Sequence, residues 1–284
     1  MVKSLVRLAS VLLLIVVSSS PAGSETGTVA STDGVPIAYT SIGSGDPTIV
    51  FIHGGYADQT FWTEQMGALS ERYQLVTLDL AGHGLSGSER ELWSLDAFGE
   101  DVRAVVEALE LESVVLVGNS LGGPVGLIAA KKLPEVTRGL IAVDTFQKAD
   151  RDFSREAFEA YIQSLREDFP ATCEVMVRQL LLEETDPDLY SWIEGKMCSF
   201  DPAIAPKIVN GFIDFDLERE FADAQVPIRA ILGQTTPLDL AGNRALRPDF
   251  EAVVLEGCGH YPQLEKPQEF NQNLIDYVEE LRPH

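Results

Sequence analysis

Basic charge, cysteine and long apolar runs are all scarce in this chain of 284 residues, and each shortage excludes something. Lys and Arg number 21 against 44 Asp and Glu, a formal net charge of −23. A surface this acidic repels phosphate backbones and anionic headgroups, so nucleic acid is excluded as a partner. Cysteine occurs at positions 173, 198 and 258 only. Three thiols allow at most one internal disulfide, for which Cys173 and Cys198 are the candidate pair, and no Cys or His pair has the close spacing of a zinc site. A metal is not expected. No apolar run reaches the ~20 residues of a membrane-spanning helix. Internal repeats and low-complexity tracts are also missing beyond the N-terminal stretch. What remains is 45% hydrophobic and 23% charged, with 23 Gly and 15 Pro scattered along the chain, the balance of a folded globular protein.

The first residues stand apart. Lys3 and Arg7 precede an apolar run from Leu8 to Val17, and Ser18, Ser19, Ser20, Pro21, Ala22 and Gly23 follow. A short positive region, an apolar core and a small-residue exit in that order read as a secretory signal peptide over residues 1–24. The expectation is an exported protein, periplasmic or released, with no stable membrane anchor once the leader is cut.

Beyond residue 25, short β-rich runs alternate with amphipathic stretches, the pattern of an α/β chain. Eight strands are expected: Gly27–Ser31 and Val35–Ser41 as an antiparallel hairpin about Asp33-Gly34, then Thr48–Ile52, Gln74–Asp79, Val114–Val117, Leu140–Val143, Ile228–Leu232 and Ala252–Leu255. Runs such as Thr-Ile-Val-Phe-Ile are apolar on both faces, as in central strands of a doubly wound, mostly parallel sheet. Between Phe153 and Asp214 the alternation stops and about four helices are expected in succession, with Phe153, Phe158, Tyr161, Ile162 and Leu165 at helical spacing, and Val175, Val177, Leu180 and Leu181 after them. The chain thus divides into a core of residues 25–145 and 220–284 and an inserted helical lid of residues 146–219, which would cover a pocket at the C-terminal strand ends.

The Val114–Val117 strand runs straight into Gly118-Asn119-Ser120-Leu121-Gly122-Gly123 and then an apolar helix. A G-x-S-x-G turn between strand and helix holds its serine in a strained conformation with the hydroxyl exposed, and side chains at positions 118 and 122 would strike neighbouring backbone. With this elbow go His53-Gly54-Gly55-Tyr56 after the Thr48–Ile52 strand, Asp79-Leu80-Ala81-Gly82-His83-Gly84-Leu85-Ser86, and Gly257-Cys258-Gly259-His260 followed by Glu265-Lys266-Pro267. Together they resemble the α/β-hydrolase fold, and the resemblance spans everything after the leader.

Of four histidines, His53 and His83 sit in Gly-rich turns and His284 ends the chain, which leaves His260 as the candidate base. The resemblance places the acid at the end of the strand before the last, in G-x-x-D, yet the stretch reads Gly233-Gln234-Thr235-Thr236-Pro237, with Thr236 where Asp would stand. Two carboxylates could replace it, Asp144 after the Leu140–Val143 strand or Asp239 beyond Thr236. Position favours Asp144; Asp79 reads as a cap on its own turn. A Ser120, His260, Asp144 triad would work through an acyl-enzyme, with the backbone N–H groups of Gly55 and Leu121 as the oxyanion hole and without a cofactor. A serine at the elbow disfavours haloalkane and epoxide opening. Hydrolysis of a small, apolar carboxylic ester comes first, with Tyr56 and Phe146 as candidate substrate contacts and Phe153, Trp192, Phe212, Phe61 and Trp62 as further nearby aromatics. Lactone, thioester, amide or C–C hydrolysis, perhydrolysis, and a non-catalytic binding module on the same fold are the alternatives.

Overall fold

The structure, a computed structural model, describes residues 18–19, 23–150 and 154–282. Most of the expected leader, Phe153 and His284 therefore lie outside the described residues. Nine strands form one sheet: β1 (Ser18–Ser19), β2 (Glu25–Ala30), β3 (Pro36–Ile42), β4 (Thr48–Ile52), β5 (Leu75–Leu78), β6 (Val114–Asn119), β7 (Thr137–Val143), β8 (Ile228–Leu232) and β9 (Glu251–Val254). Their order is β1-β2-β3-β5-β4-β6-β7-β8-β9. From β5 to β9 every neighbouring pair is parallel, while β1, β2 and β3 add an antiparallel edge. The eight expected strands are all present; the two-residue β1, paired with Glu25 and Thr26, is the addition.

Eleven α-helices accompany the sheet among the described residues: α1 (Thr63–Leu69), α2 (Leu95–Ala108), α3 (Gly122–Lys132), α4 (Arg155–Glu167), α5 (Phe169–Leu180), α6 (Pro187–Cys198), α7 (Ala205–Asn210), α8 (Leu217–Asp223), α9 (Leu240–Leu246), α10 (Pro262–Glu265) and α11 (Pro267–Glu280). The pleat sends alternate strand residues to opposite faces. Val50, Ile52, Leu116 and Ala142 join one apolar cluster with Phe98 and Val102 of α2 and Val125 of α3. Ile49, Phe51, Val117 and Ile141 join the other, with Phe270, Leu274 and Val278 of α11. All five residues of β4 and all six of β6 are buried. At about 1.5–3 kcal/mol for each large apolar side chain buried, these central strands are where the fold is most firmly held.

Four helices, α4 to α7, follow one another between β7 and β8, with α8 completing the connection. Their starts are written locally: Ser154, Asp168 and Asp186 each accept a backbone N–H of the first turn, and Pro170 and Pro187 occupy first-turn positions that need no donor. Ile162, Leu165, Phe169, Val177, Ile193 and Met197 turn inward. Val175, read with the apolar set of α5, instead faces solvent, because the buried stripe of that helix passes through Phe169, Cys173 and Val177. A disulfide joins Cys173 in α5 to Cys198 at the end of α6, and Cys258 is a buried free thiol.

Candidate active site

The elbow between β6 and α3 has the shape its glycines demand. A Cβ on Gly118 would sit 2.1 Å from the Gly122 carbonyl oxygen, and one on Gly122 would sit 2.3 Å from that of Ile52. Ser120 lies at φ +52°. Its N–H donates to the Val143 carbonyl at 3.0 Å and its own carbonyl accepts from Gly123 at 3.0 Å, so the strained turn is pinned from both sides. Tyr56 (φ +61°), Asp144 (φ +44°) and Phe146 (φ +63°) also occupy the left-handed region. Each such residue costs on the order of 1–3 kcal/mol, and four of the five left-handed non-glycine residues, all but Glu110 after α2, gather at the ends of β4, β6 and β7, which makes that sheet edge the candidate site.

Asp144 and His260 meet there. Asp144 Oδ2 lies 2.5 Å from His260 Nδ1, while Asp144 Oδ1 accepts from the Gly233 N–H at 2.8 Å and from Gln147 Nε2 at 3.0 Å. With Nδ1 engaged, Nε2 is the ring nitrogen left without a protein hydrogen bond among the described residues. The His260 N–H donates to the Leu180 carbonyl at the end of α5, at 2.8 Å. Asp239, the other candidate acid, is occupied elsewhere: its carboxylate caps α9 by accepting from Gly242 N–H at 2.8 Å. Asp79 accepts from the Gln59 and Leu85 N–H groups, each at 2.8 Å, and so organises its own turn.

His53 and His83 shape the loop after β4. His53 Nε2 accepts from the Leu80 N–H at 3.0 Å and its Nδ1–H faces the Gly54 carbonyl at 2.7 Å. His83 Nε2 accepts from the Tyr56 N–H at 3.3 Å and its Nδ1–H faces the Ala81 carbonyl at 3.0 Å. Both rings are therefore neutral and of one tautomer. Burial pulls both below the ordinary histidine range, and for His83 the neighbouring His53 adds to the effect. The loop they hold brings Gly55 to the same cavity as Ser120 and Leu121. Among the described residues no hydrogen bond engages the N–H of Gly55 or of Leu121, so both donors are free for a ligand.

The cavity measures about 430 Å³, and Tyr56, Asp144 and His260 line it as well. Strand-end residues form its floor; Phe158, Met176, Ile208 and Phe212 from the α4–α8 segment form its roof. Phe146 is a correction: it does not line the cavity. Its left-handed backbone turns the ring down beside Gly123 and against Phe221, with ring centres 5.4 Å apart, so it is core. Trp192 packs on Phe61 instead of reaching the cavity, and Phe61 and Trp62 are buried in the core.

The organising roles of two residues, Asn119 and Glu265, escaped the sequence reading. Asn119, buried beside the serine, donates through Nδ2 to the Val143 carbonyl at 3.1 Å and to the His260 carbonyl at 3.2 Å. Glu265 accepts from the N–H groups of Gly259 and Tyr261, at 3.0 and 3.1 Å, and from the Thr185 hydroxyl at 2.9 Å. The Glu265 motif was visible in the sequence; nothing local marked Asn119 apart from its place in the elbow.

Comparison with known proteins gives a consistent family. The sequence model described as alpha/beta hydrolase family matches residues 49–273. A 2-(acetamidomethylene)succinate hydrolase of Mesorhizobium japonicum is 24% identical over 256 residues, covering 84% of this chain and 89% of that one. Among solved structures, a thermophilic esterase from Thermogutta terrifontis superposes with a TM-score of 0.80 at 23% identity, covering 91% of this chain and 99% of that one. An esterase from Exiguobacterium antarcticum gives 0.78 at 20% identity, covering 89% and 98%.

Proposed function

The chain belongs to the alpha/beta hydrolase family, and from that premise we propose that it is a serine hydrolase cleaving a small carboxylic ester through an acyl-enzyme. The observation that carries this reading is the 2.5 Å contact between Asp144 and His260 in the cavity that also holds Ser120 and two free N–H donors. His260 Nε2 takes the Ser120 proton as Oγ attacks the substrate carbonyl. Asp144 fixes the imidazole tautomer and stabilises the imidazolium. The N–H groups of Gly55 and Leu121 hold the developing oxyanion, a contribution of about 3 kcal/mol for each donor. The leaving alkoxide collects the proton from His260; a water molecule, deprotonated by the same ring, then attacks the acyl-enzyme, and the acid is released as His260 returns that proton to the departing Ser120 Oγ. The non-catalytic reading drew on Thr236 alone, and Asp144 supplies the carboxylate that Thr236 lacks.

In this reading the α4–α8 segment is the lid of the site, supported by its contribution of Phe158, Met176, Ile208 and Phe212 to the cavity lining. Export through the N-terminal leader belongs to the same proposal, and the Cys173–Cys198 disulfide supports an oxidising destination. The test of the chemistry is labelling by a fluorophosphonate with peptide mapping. The label is expected on Ser120, absent from Ser120→Ala and much slowed in His260→Ala; no label, or a label elsewhere, contradicts the proposal.

A further inference from the structure

The roof and floor of the cavity differ in chemistry, and neither carries a positive charge. Of the described residues that line it, the charged types are Asp144 and His260, which are bound to each other. No Lys or Arg is among them. The covering helices do contain basic side chains, Arg155, Arg166, Arg178, Lys196, Lys207 and Arg219, but none of them is in the cavity lining, and Arg155 is bonded to Asp214 at 2.6 Å and Lys196 to Asp58 at 2.9 Å. The roof is apolar. At the floor, Thr235 and Thr236 follow β8 and line the cavity, and among the described residues no hydrogen bond engages either side chain. Gln147 spends its Nε2 on Asp144, which leaves its carbonyl oxygen as a neutral acceptor.

We infer that the site takes an uncharged acyl substrate with two unlike arms, an apolar one against the helical roof and a neutral hydrogen-bonding one at Thr235 and Thr236. The inference rests on the serine-hydrolase reading and narrows its substrate class. A carboxylate carried into this cavity gives up part of its water and finds no cation in exchange. The net charge of −23 acts in the same direction by lowering the local concentration of anions. A neutral hydroxyl, ether or carbonyl, by contrast, exchanges water for the free threonine hydroxyls at little cost.

Three p-nitrophenyl esters of one acyl length separate these effects: the hexanoate, the methyl adipate and the free-acid adipate. Methyl adipate is expected to be cleaved at least as well as hexanoate, and the free acid at least about thirtyfold less well in kcat/KM. Thr236→Arg is expected to narrow that ratio about tenfold by supplying the missing cation. Free-acid turnover within about threefold of the methyl ester overturns the exclusion of charge. A methyl adipate rate far below hexanoate overturns the polar arm. Either result leaves the serine-hydrolase reading in place; no turnover of any ester together with an unlabelled Ser120 overturns that reading and this inference with it.

Discussion

Asn119 stands next to Ser120, the proposed nucleophile, and reaches the backbone beside both proposed partners, the His260 carbonyl and the Val143 carbonyl that precedes Asp144. In Asn119→Ala the Val143 carbonyl keeps the Ser120 N–H, whereas the His260 carbonyl loses its donor. Loss of one buried hydrogen bond, about 1–3 kcal/mol, is expected to lower kcat about tenfold to a hundredfold with KM nearly unchanged. A raised KM at constant kcat would show that Asn119 serves binding instead. Asp144→Asn is expected to lower kcat by about 10⁴, through the wrong imidazole tautomer. Asp239→Asn, which weakens a helix cap, is expected to cost about 1 kcal/mol of stability or less while leaving most turnover. Ser120 and His260 could be read from short motifs because local sterics define them. The choice between Asp144 and Asp239 depends on which strand end faces the imidazole, and that contact joins residues 116 positions apart. Phe146 misled for the same reason: apolarity is visible in a sequence, but the left-handed backbone that sends the ring into the core is not.

The elements that carry the base loop are α5 and α6 as much as the sheet. The Leu180 carbonyl at the end of α5 holds the His260 N–H, Met197 of α6 touches the Tyr261 hydroxyl through sulfur at 2.9 Å, and Thr185 between the helices binds Glu265. The disulfide ties the two helices to each other. Closing a loop with a sequence separation of 25 is worth about 3 kcal/mol by the chain-entropy argument. The double variant Cys173→Ser, Cys198→Ser is expected to lose about that much in denaturant unfolding and to lose kcat as well, since the helices bracket His260. Unchanged unfolding and turnover would mean that packing alone holds this region. Helical spacing made α4 and α5 legible as amphipathic segments. It could not assign Val175 to solvent, because a shift of one position in the stripe is decided by the surface on which the helix rests.

At the scale of the whole molecule, composition and strand alternation were enough for the architecture, since five of the six parallel strands, all but the edge strand β9, are covered on both faces and need continuous apolar runs. The edge strand β1 had no such run to announce it. The burial of His53 and His83 was not legible either, because both lie in Gly-rich turns that give no sign of how deeply they are packed. Its effect on stability has a definite sign. The unfolded chain binds protons at these residues near the ordinary histidine value of about 6.5, whereas the folded chain resists them through burial. Below that pH the unfolded state holds more protons, so stability falls as pH falls. A drop of roughly 1–2 kcal/mol in urea unfolding between pH 7 and about 5.5 is expected; a flat or rising stability would mean that the two rings titrate normally.

The central claim is that Ser120, driven by His260, performs acyl transfer. Its most direct test is the steady-state hydrolysis of p-nitrophenyl butyrate by the wild type beside Ser120→Ala, with circular dichroism to verify that both are folded. Turnover by the wild type and a fall of at least about 10⁴ in kcat for the folded variant is the predicted result. Hydrolysis undiminished in Ser120→Ala would contradict the account.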